Sequence, residues 1–407
     1  MANMESKQGI MVLGFLIVLL FVSVNGQDCV WDKDTDFPED PPLIFDSNLE
    51  LIRPVLENGK RIVSVPSGSS LTLACSGSEL INLGMEAVEA KCAGGVMLAI
   101  EGTEWEIWSL GCSNHVKETI RRNLGTCGEA DQGDRHSIGF EYYGGSIYYE
   151  LISVCFGPVS ETTLRTEHVL HGANIAAKDI ETSRPSFKTS TGFFSVSMST
   201  VYSQASQLQL MTDILGDSDL ANNIIDPSQQ LYFAKGHMSP DADFVTVAEQ
   251  DATYYFINAL PQWQAFNNGN WKYLEYATRD LAESHGSDLR VYSGGWSLLQ
   301  LDDINGNPVD ILLGLSEGKE VVPVPSLTWK VVYEESSSKA AAIVGINNPH
   351  ITTAPSPLCS DLCSSLTWID FNLDDLAHGY TYCCAVDDLR QAIPYIPDLG
   401  NVGLLTN

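Results

Sequence analysis

Residues 231–279 read LYFAKGHMSPDADFVTVAEQDATYYFINALPQWQAFNNGNWKYLEYATR. Leu231-Tyr232-Phe233 has the aromatic, β-prone character of a short strand, which runs on into Lys235-Gly236-His237. Ser239-Pro240-Asp241 breaks it with turn-forming residues. Thr253 to Ile257 is a second β-prone, aromatic run with Asn258 at its end. Pro261 to Asn268, followed by Gly269, reads as a polar turn, and helical spacing of apolar residues starts at about Asn270. The predicted order is strand, loop, strand, helix, with a histidine on the first strand and asparagines where the helix starts.

These residue types suit phosphodiester chemistry. Histidine titrates near neutrality and can take a proton from water. A hard divalent cation such as Mg2+ takes oxygen ligands and keeps several waters, so one amide oxygen can anchor it. Asn267 offers that oxygen. Glu275 follows eight residues later, about two turns along the helix, where it can orient water on the cation. Taken singly, each residue has a plainer reading: His237 as a hydrogen-bonded strand end, Asn267-Asn268-Gly269 as a helix cap, Glu275 as a partner of Arg279 at i+4. Trp263 and Trp271 read as core residues ahead of base-stacking ones, and Arg279 divides evenly between a phosphate contact and a salt bridge.

The constellation as a whole resembles the DNA/RNA non-specific endonuclease family, whose pattern is Asp-Arg-Gly-His, then Asn, then Asn followed by Glu. Gly236-His237, Asn258, Asn267 and Glu275 match it, and Arg279 matches an arginine of the family's helix. The wording AKGHMSPDADF, ATYYFIN, PQWQAFNNGNWKYLE and LTWKVVY is similar to the secreted arthropod branch, which includes double-stranded-RNA nucleases and salivary endonucleases. RPSF at Arg184 to Phe187 and VGINNP at Val344 to Pro349 extend the match. The resemblance implies an α+β fold. Its core would be a ββα-metal (His-Me finger) domain, with a central antiparallel sheet flanked by helices. It implies a Mg2+-dependent (or Mn2+-dependent) endonuclease acting on DNA and RNA with little sequence or sugar preference. In that role His237 is the general base and Asn267 the metal ligand, with Lys235, Asn258, Glu275 and Arg279 in support. The chain departs from the pattern where Ala234-Lys235 replaces Asp-Arg; lysine keeps the charge and loses the bidentate fork. The upstream arginine of bacterial members is also displaced: residues 189–234 hold no Lys or Arg, which leaves Arg184 as the nearest candidate. A non-catalytic nucleic-acid binder on the same scaffold is the alternative reading.

The rest of the chain frames this segment. Of 407 residues, 22 are Lys or Arg and 52 are Asp or Glu, for a net charge of -30. A general basic coat is excluded, so a polyanion must meet a local basic patch or a bound cation. An apolar run from Ile10 to Val24 reads as a signal-peptide core, giving an expected leader over 1–26 and secretion. No second run of spanning length follows, so no membrane segment is expected after cleavage. All ten cysteines lie beyond residue 26. An even count in a secreted chain implies disulfides, with Cys359, Cys363, Cys383 and Cys384 pairing among themselves; their spacing suits zinc poorly. Short β-type runs punctuated by Gly, Ser and Pro predict a disulfide-tied β-rich domain over 27–150, and the nuclease-like domain covers 151–407. Asp32 to Pro42 reads as an exposed acidic leader, Arg121-Arg122 as solvated surface, and His168 and His171 as surface residues. Asp302 to Asn307 reads as a hairpin turn rather than a calcium loop.

Overall fold

The computed structural model describes residues 26–128, 132–180, 184–316 and 318–407; the expected leader lies outside them except for Gly26. Among the described residues, no helix is long and apolar enough to cross a membrane. The architecture is α+β and dominated by one ten-stranded sheet.

That sheet runs Thr126–Cys127, Gly133–Tyr142, Ile147–Gly157, Thr162–Leu170, Leu289–Leu298, Pro325–Glu334, Lys339–Ile346, Thr381–Cys384, antiparallel along this path. Successive strand residues point to opposite faces, and the sequence uses this. Val332, Ala341 and Ile343 face the layer that carries the site, whereas Val331, Ala342 and Val344 face the opposite core. The adjacent Cys383 and Cys384 likewise enter different cores, so each bonds its own partner, Cys363 and Cys359 respectively. Cys29–Cys92, Cys75–Cys112 and Cys127–Cys155 complete five disulfides.

The N-terminal residues form a three-stranded and a five-stranded sheet around Trp31, Leu73, Leu80 and Leu98. The unit is not loosely tethered. Leu43, Phe45 and Ala74 share a core with Phe140, Ile152 and Val154 of the large sheet, and Phe45 stacks on Tyr142 at 5.0 Å. A buried ion pair, Arg53 to Glu249 at 2.7 Å, crosses the same boundary. Asp32 to Pro42 is no exposed leader: it is mostly half-buried, and Lys33 and Arg61 both pair with Asp179 across the junction. The strand Ile147–Gly157 runs through residue 150, and the large sheet begins with Thr119–Arg121. We propose that the division between the two units lies just before Thr119.

On one face of the large sheet sits a two-stranded hairpin, Phe233–His237 with Ala259–Trp263, followed by the helix Asn270–His285. The strand–strand–helix order therefore holds, but the second strand is not Thr253–Ile257. Those residues form a turn and lead into a single 3-10 turn, Phe256–Asn258. Their β-prone side chains serve packing instead: Phe256 fills the core beneath the hairpin and Ile257 the core shared with the N-terminal unit. Pro261, read as a turn residue, lies inside the true strand. In an antiparallel strand the N–H and C=O of one residue point to the same edge. The Pro261 carbonyl accepts from Asn347 Nδ2 at 3.1 Å, and Trp263 N donates to Asn347 Oδ1 at 2.9 Å. The Pro261 nitrogen thus points away from the partner strand, where no N–H is needed. Asn347, from the VGINNP stretch, is the clamp that fixes the hairpin to the sheet.

The acidic loop is a hairpin turn, as read: Gln300–Asp302 pairs with Pro308–Asp310, and Asp303 Oδ1 accepts from the backbone N–H groups of Asn305 and Asn307 at 2.8 Å. Arg121 and Arg122 are not merely solvated; their guanidinium groups lie 4.3 Å and 4.1 Å from the rings of Tyr148 and Phe193.

Candidate active site

Gly236 shows why a glycine precedes the histidine. A Cβ there would stand 2.0 Å from Oε1 of Gln262 on the neighbouring strand, so any larger residue would have to displace the buried Gln262 side chain. His237 then ends the strand opposite Ala259. Its ring is held between Phe187 and Tyr254, each 4.9 Å away centroid to centroid. Nε2 is buried without a partner, and no hydrogen bond to this ring exists among the described residues, which leaves Nδ1 as the nitrogen open to solvent. Burial pushes the imidazole pKa down to about 4, helped by the Arg184 charge and opposed by Asp241. The ring is therefore neutral at every pH above that range.

Asn258 is fully buried, and its amide is spent on backbone. Oδ1 accepts from Ser239 N at 3.0 Å, and Nδ2 donates to Ser239 O at 2.8 Å and Thr253 O at 2.9 Å. It pins the loop that leaves His237 and presents no polar group to solvent. Asn267 differs. It ends the helical turn Gln264–Asn267, is half-buried, and its amide has no hydrogen bond among the described residues. The turn is tied to the histidine strand's lead-in by Gln264 N donating to Tyr232 O at 2.8 Å. Gly269 follows because a Cβ would lie 2.6 Å from Ala265 O.

Behind these residues lies a buried charge cluster. Asp243 accepts from Arg279 Nη1 at 2.8 Å and bonds His168 Nε2 at 3.0 Å. Burial alone would raise its pKa, but the His168 bond and the Arg279 charge outweigh that and hold the carboxyl down to about 2. Lys330, 1% exposed, donates to Ser293 Oγ at 3.0 Å and points its ammonium at the Trp271 ring, 5.5 Å from the centroid. Glu275 is half-buried with no hydrogen bond among the described residues. Desolvation, with Asp243 and Asp241 adding to it, pushes its carboxyl up to about 7 against the pull of Lys330 and Arg279. Arg279 is thus a salt-bridge partner, and His168 is a core residue rather than a surface one. Trp263 and Trp271 are core residues, as read.

Five of the chain's 22 basic residues converge here. Arg279 and Lys330 surround Asp243, and Lys178 senses both Asp241 and Asp243. Arg184 is largely exposed and lies 3.6 Å from Asp241 Oδ2. Lys235, on the histidine strand, holds its ammonium over the rings of Phe187 and Tyr202 at 5.5 Å and 5.9 Å. Arg279 and Lys330 are buried, and Asp241, Asp243 and Glu275 lie among the five, so Arg184, Lys235 and Lys178 are the cations here that a polyanion can meet.

Residues 131–389 match the DNA/RNA non-specific endonuclease family. The chain belongs to this family. It is 26% identical to a salivary endonuclease of Lutzomyia longipalpis over 377 residues, covering 90% of this chain and 83% of that one. It is 23% identical to the salivary protein Tsal1 of Glossina morsitans morsitans, covering 95% and 97%. A mitochondrial nuclease EXOG of Danio rerio is 34% identical over 114 residues, 27% of this chain and 32% of that one. For an endonuclease of this family, sequence reasoning undervalued three residues. Arg184 stood out only as the nearest upstream arginine and Phe187 only through the RPSF wording, yet Phe187 packs on the His237 ring and the Arg184 charge acts on it. Asp243 stood in the quoted segment with nothing to mark it as an ion-pair hub.

The histidine's low pKa gives a direct check. A proton NMR titration of the His237 ring should show a midpoint about 4, and a midpoint near 6.5 would mean that the ring is solvated rather than clamped.

Proposed function

We propose that the chain is a secreted, divalent-metal-dependent endonuclease. It would hydrolyse phosphodiester bonds of DNA and RNA, double-stranded RNA included, with little preference for sequence or sugar. The observation that carries this reading is a neutral histidine with one ring nitrogen open to solvent, on a strand–strand–helix element and beside the accessible cations Arg184, Lys235 and Lys178. His237 takes the proton of the attacking water at Nδ1. Arg184, the most exposed of the cations, binds the phosphate with Lys235 and Lys178 behind it, and the cleaved ends keep the phosphate on the 5′ side. Asn258 holds the histidine loop in register, and the Asp243–Arg279 pair supports the helix that carries Glu275. Contacts of this kind read the backbone and leave bases and the 2′-hydroxyl untouched.

The residues present fit a hard cation. Among the described residues, the Asn267 amide has no hydrogen bond and neither has the Glu275 carboxyl. Asn267 would hold the ion directly and Glu275 through water. A bound Mg2+ or Mn2+ supplies charge stabilisation to the phosphate and the departing oxygen. Secretion is supported by the salivary relatives and by the apolar run over residues 10–24.

The test is a cleavage assay of the processed protein on double-stranded RNA, double-stranded DNA and single strands, each with Mg2+ and with EDTA. Cleavage of all four in Mg2+ and of none in EDTA is expected. Undiminished cleavage in EDTA would remove the metal from the reading. Cleavage of double-stranded RNA alone would replace the general nuclease by a specialist.

A further inference from the structure

The site helix carries an aromatic ring beside the chemistry that no step above uses. Successive helix residues turn by about 100°. Measured round the axis from Glu275, Arg279 leaves at about 40°, Lys272 at about 60°, Tyr276 at about 100° and Tyr273 at about 160°. Arg279, Lys272 and Tyr276 therefore form a ridge along one edge of the site, at i, i+4 and i+7 spacing. Tyr276 is 49% exposed, and the Arg279 guanidinium carbon lies 5.0 Å from its ring centroid. Among the described residues its ring has no aromatic neighbour and its hydroxyl no hydrogen bond. Arg279 is itself fixed by Asp243, so it braces the tyrosine from the protein side while the rest of the ring faces solvent. Lys272, one turn earlier, is held by Asn268 Oδ1 at 2.9 Å, next to Asn267. Tyr273 is as exposed, at 48%, but it is turned farther from Glu275 and sits against Phe371 at 6.2 Å.

Resting on the nuclease reading, we propose that Tyr276 is a stacking subsite for an unpaired base of the substrate strand next to the scissile phosphate, with Lys272 placed for the adjoining backbone. Asp280 and Glu283 lie on the same side of the helix farther along, so charge alone cannot make this edge attractive to a polyanion. Stacking can, and it is indifferent to sequence because every base has a π-face.

The test uses the full chain in an inactive His237→Ala background and measures anisotropy of a labelled single-stranded DNA oligonucleotide. Adding Tyr276→Ala should raise Kd roughly 5- to 150-fold. Tyr276→Phe should keep the parent affinity, and Tyr273→Ala should leave it unchanged. The Tyr276→Ala effect should vanish on an oligonucleotide of the same length built of abasic sugar-phosphate. Three results would each overturn the subsite: parent-like affinity of Tyr276→Ala for the base-bearing strand, an equal loss on the abasic strand, or an equal loss from Tyr273→Ala. Any of these with wild-type protein that still cleaves nucleic acid leaves the nuclease reading standing. Wild-type protein that neither binds nor cleaves any nucleic acid removes both.

Discussion

Replacing His237 with alanine should lower turnover by about 10²–10⁴-fold, the range a positioned proton acceptor contributes. The protein should remain folded. His237 ends its strand, its side chain makes no hydrogen bond among the described residues, and the hairpin is held independently by Asn347, by Asn258 and by Gln207, whose amide bonds both N and O of Phe233 at 2.8 Å. The measurement is kcat on a defined oligonucleotide in saturating Mg2+, beside circular dichroism and a melting curve. A folded variant with full activity would refute His237 as the base. A variant that loses activity only because it melts would show an equal loss of nucleic-acid binding, which the proposed role does not entail.

Asp243→Ala should be the most destabilising single change at the site, by about 3–5 kcal/mol. The carboxylate is 2% exposed and compensates Arg279 directly. Removing it strands the guanidinium and the His168 ring in a place water does not reach. The check is the midpoint of urea unfolding against wild type. The double variant Asp243→Ala with Arg279→Met should lose less than the sum of the two singles, because the second change removes the stranded charge. Additivity would show that the two groups do not act as a pair. The same carboxyl sets a pH dependence. Its folded pKa of about 2 lies below the ordinary value of 3.8. The stability it contributes is therefore fully present above 3.8 and is lost as pH falls through about 2. Asp243→Ala should flatten the acid limb of the stability curve over that window.

Much of the site was readable without coordinates because it is local. Gly236-His237, Asn267 and Glu275 lie within one continuous stretch, and a helix from Asn270 follows from apolar spacing closed by Gly286 at a φ of 62°. The second strand was misplaced for an equally physical reason. β-propensity measures how a side chain fits a half-buried surface, and Thr253–Ile257 is buried in two cores without being in a strand. Pro261 looks like a breaker until Asn347, from a distant strand, is seen to occupy the edge its nitrogen faces. The N-terminal Asp32–Pro42 stretch looked solvent-loving from its acidic and proline content, yet Lys60 and Arg61 of its own unit pair with Asp32 and Asp34, and Lys33 pairs with Asp179 across the junction.

What the sequence by itself determined is the set of candidate reacting groups and their order along the chain: a histidine after a glycine, an asparagine ahead of a helix, and a glutamate further along it. It also led to the expectation that the ten cysteines pair, the four C-terminal ones among themselves, and the structure bears this out. The tertiary structure decided what those groups are. It brought Arg184 and Phe187 to the histidine, buried Nε2, and gathered five cations in a chain of net charge -30. It turned Asn258 into a clamp and Arg279 into the partner of an unmarked aspartate. Identity and spacing are local properties, which sequence carries. Burial and charge environment arise only when segments far apart in the chain, Arg53 with Glu249 or Lys330 with His168, are brought together, and it is burial that sets the His237 and Glu275 pKa values on which the proposed chemistry depends.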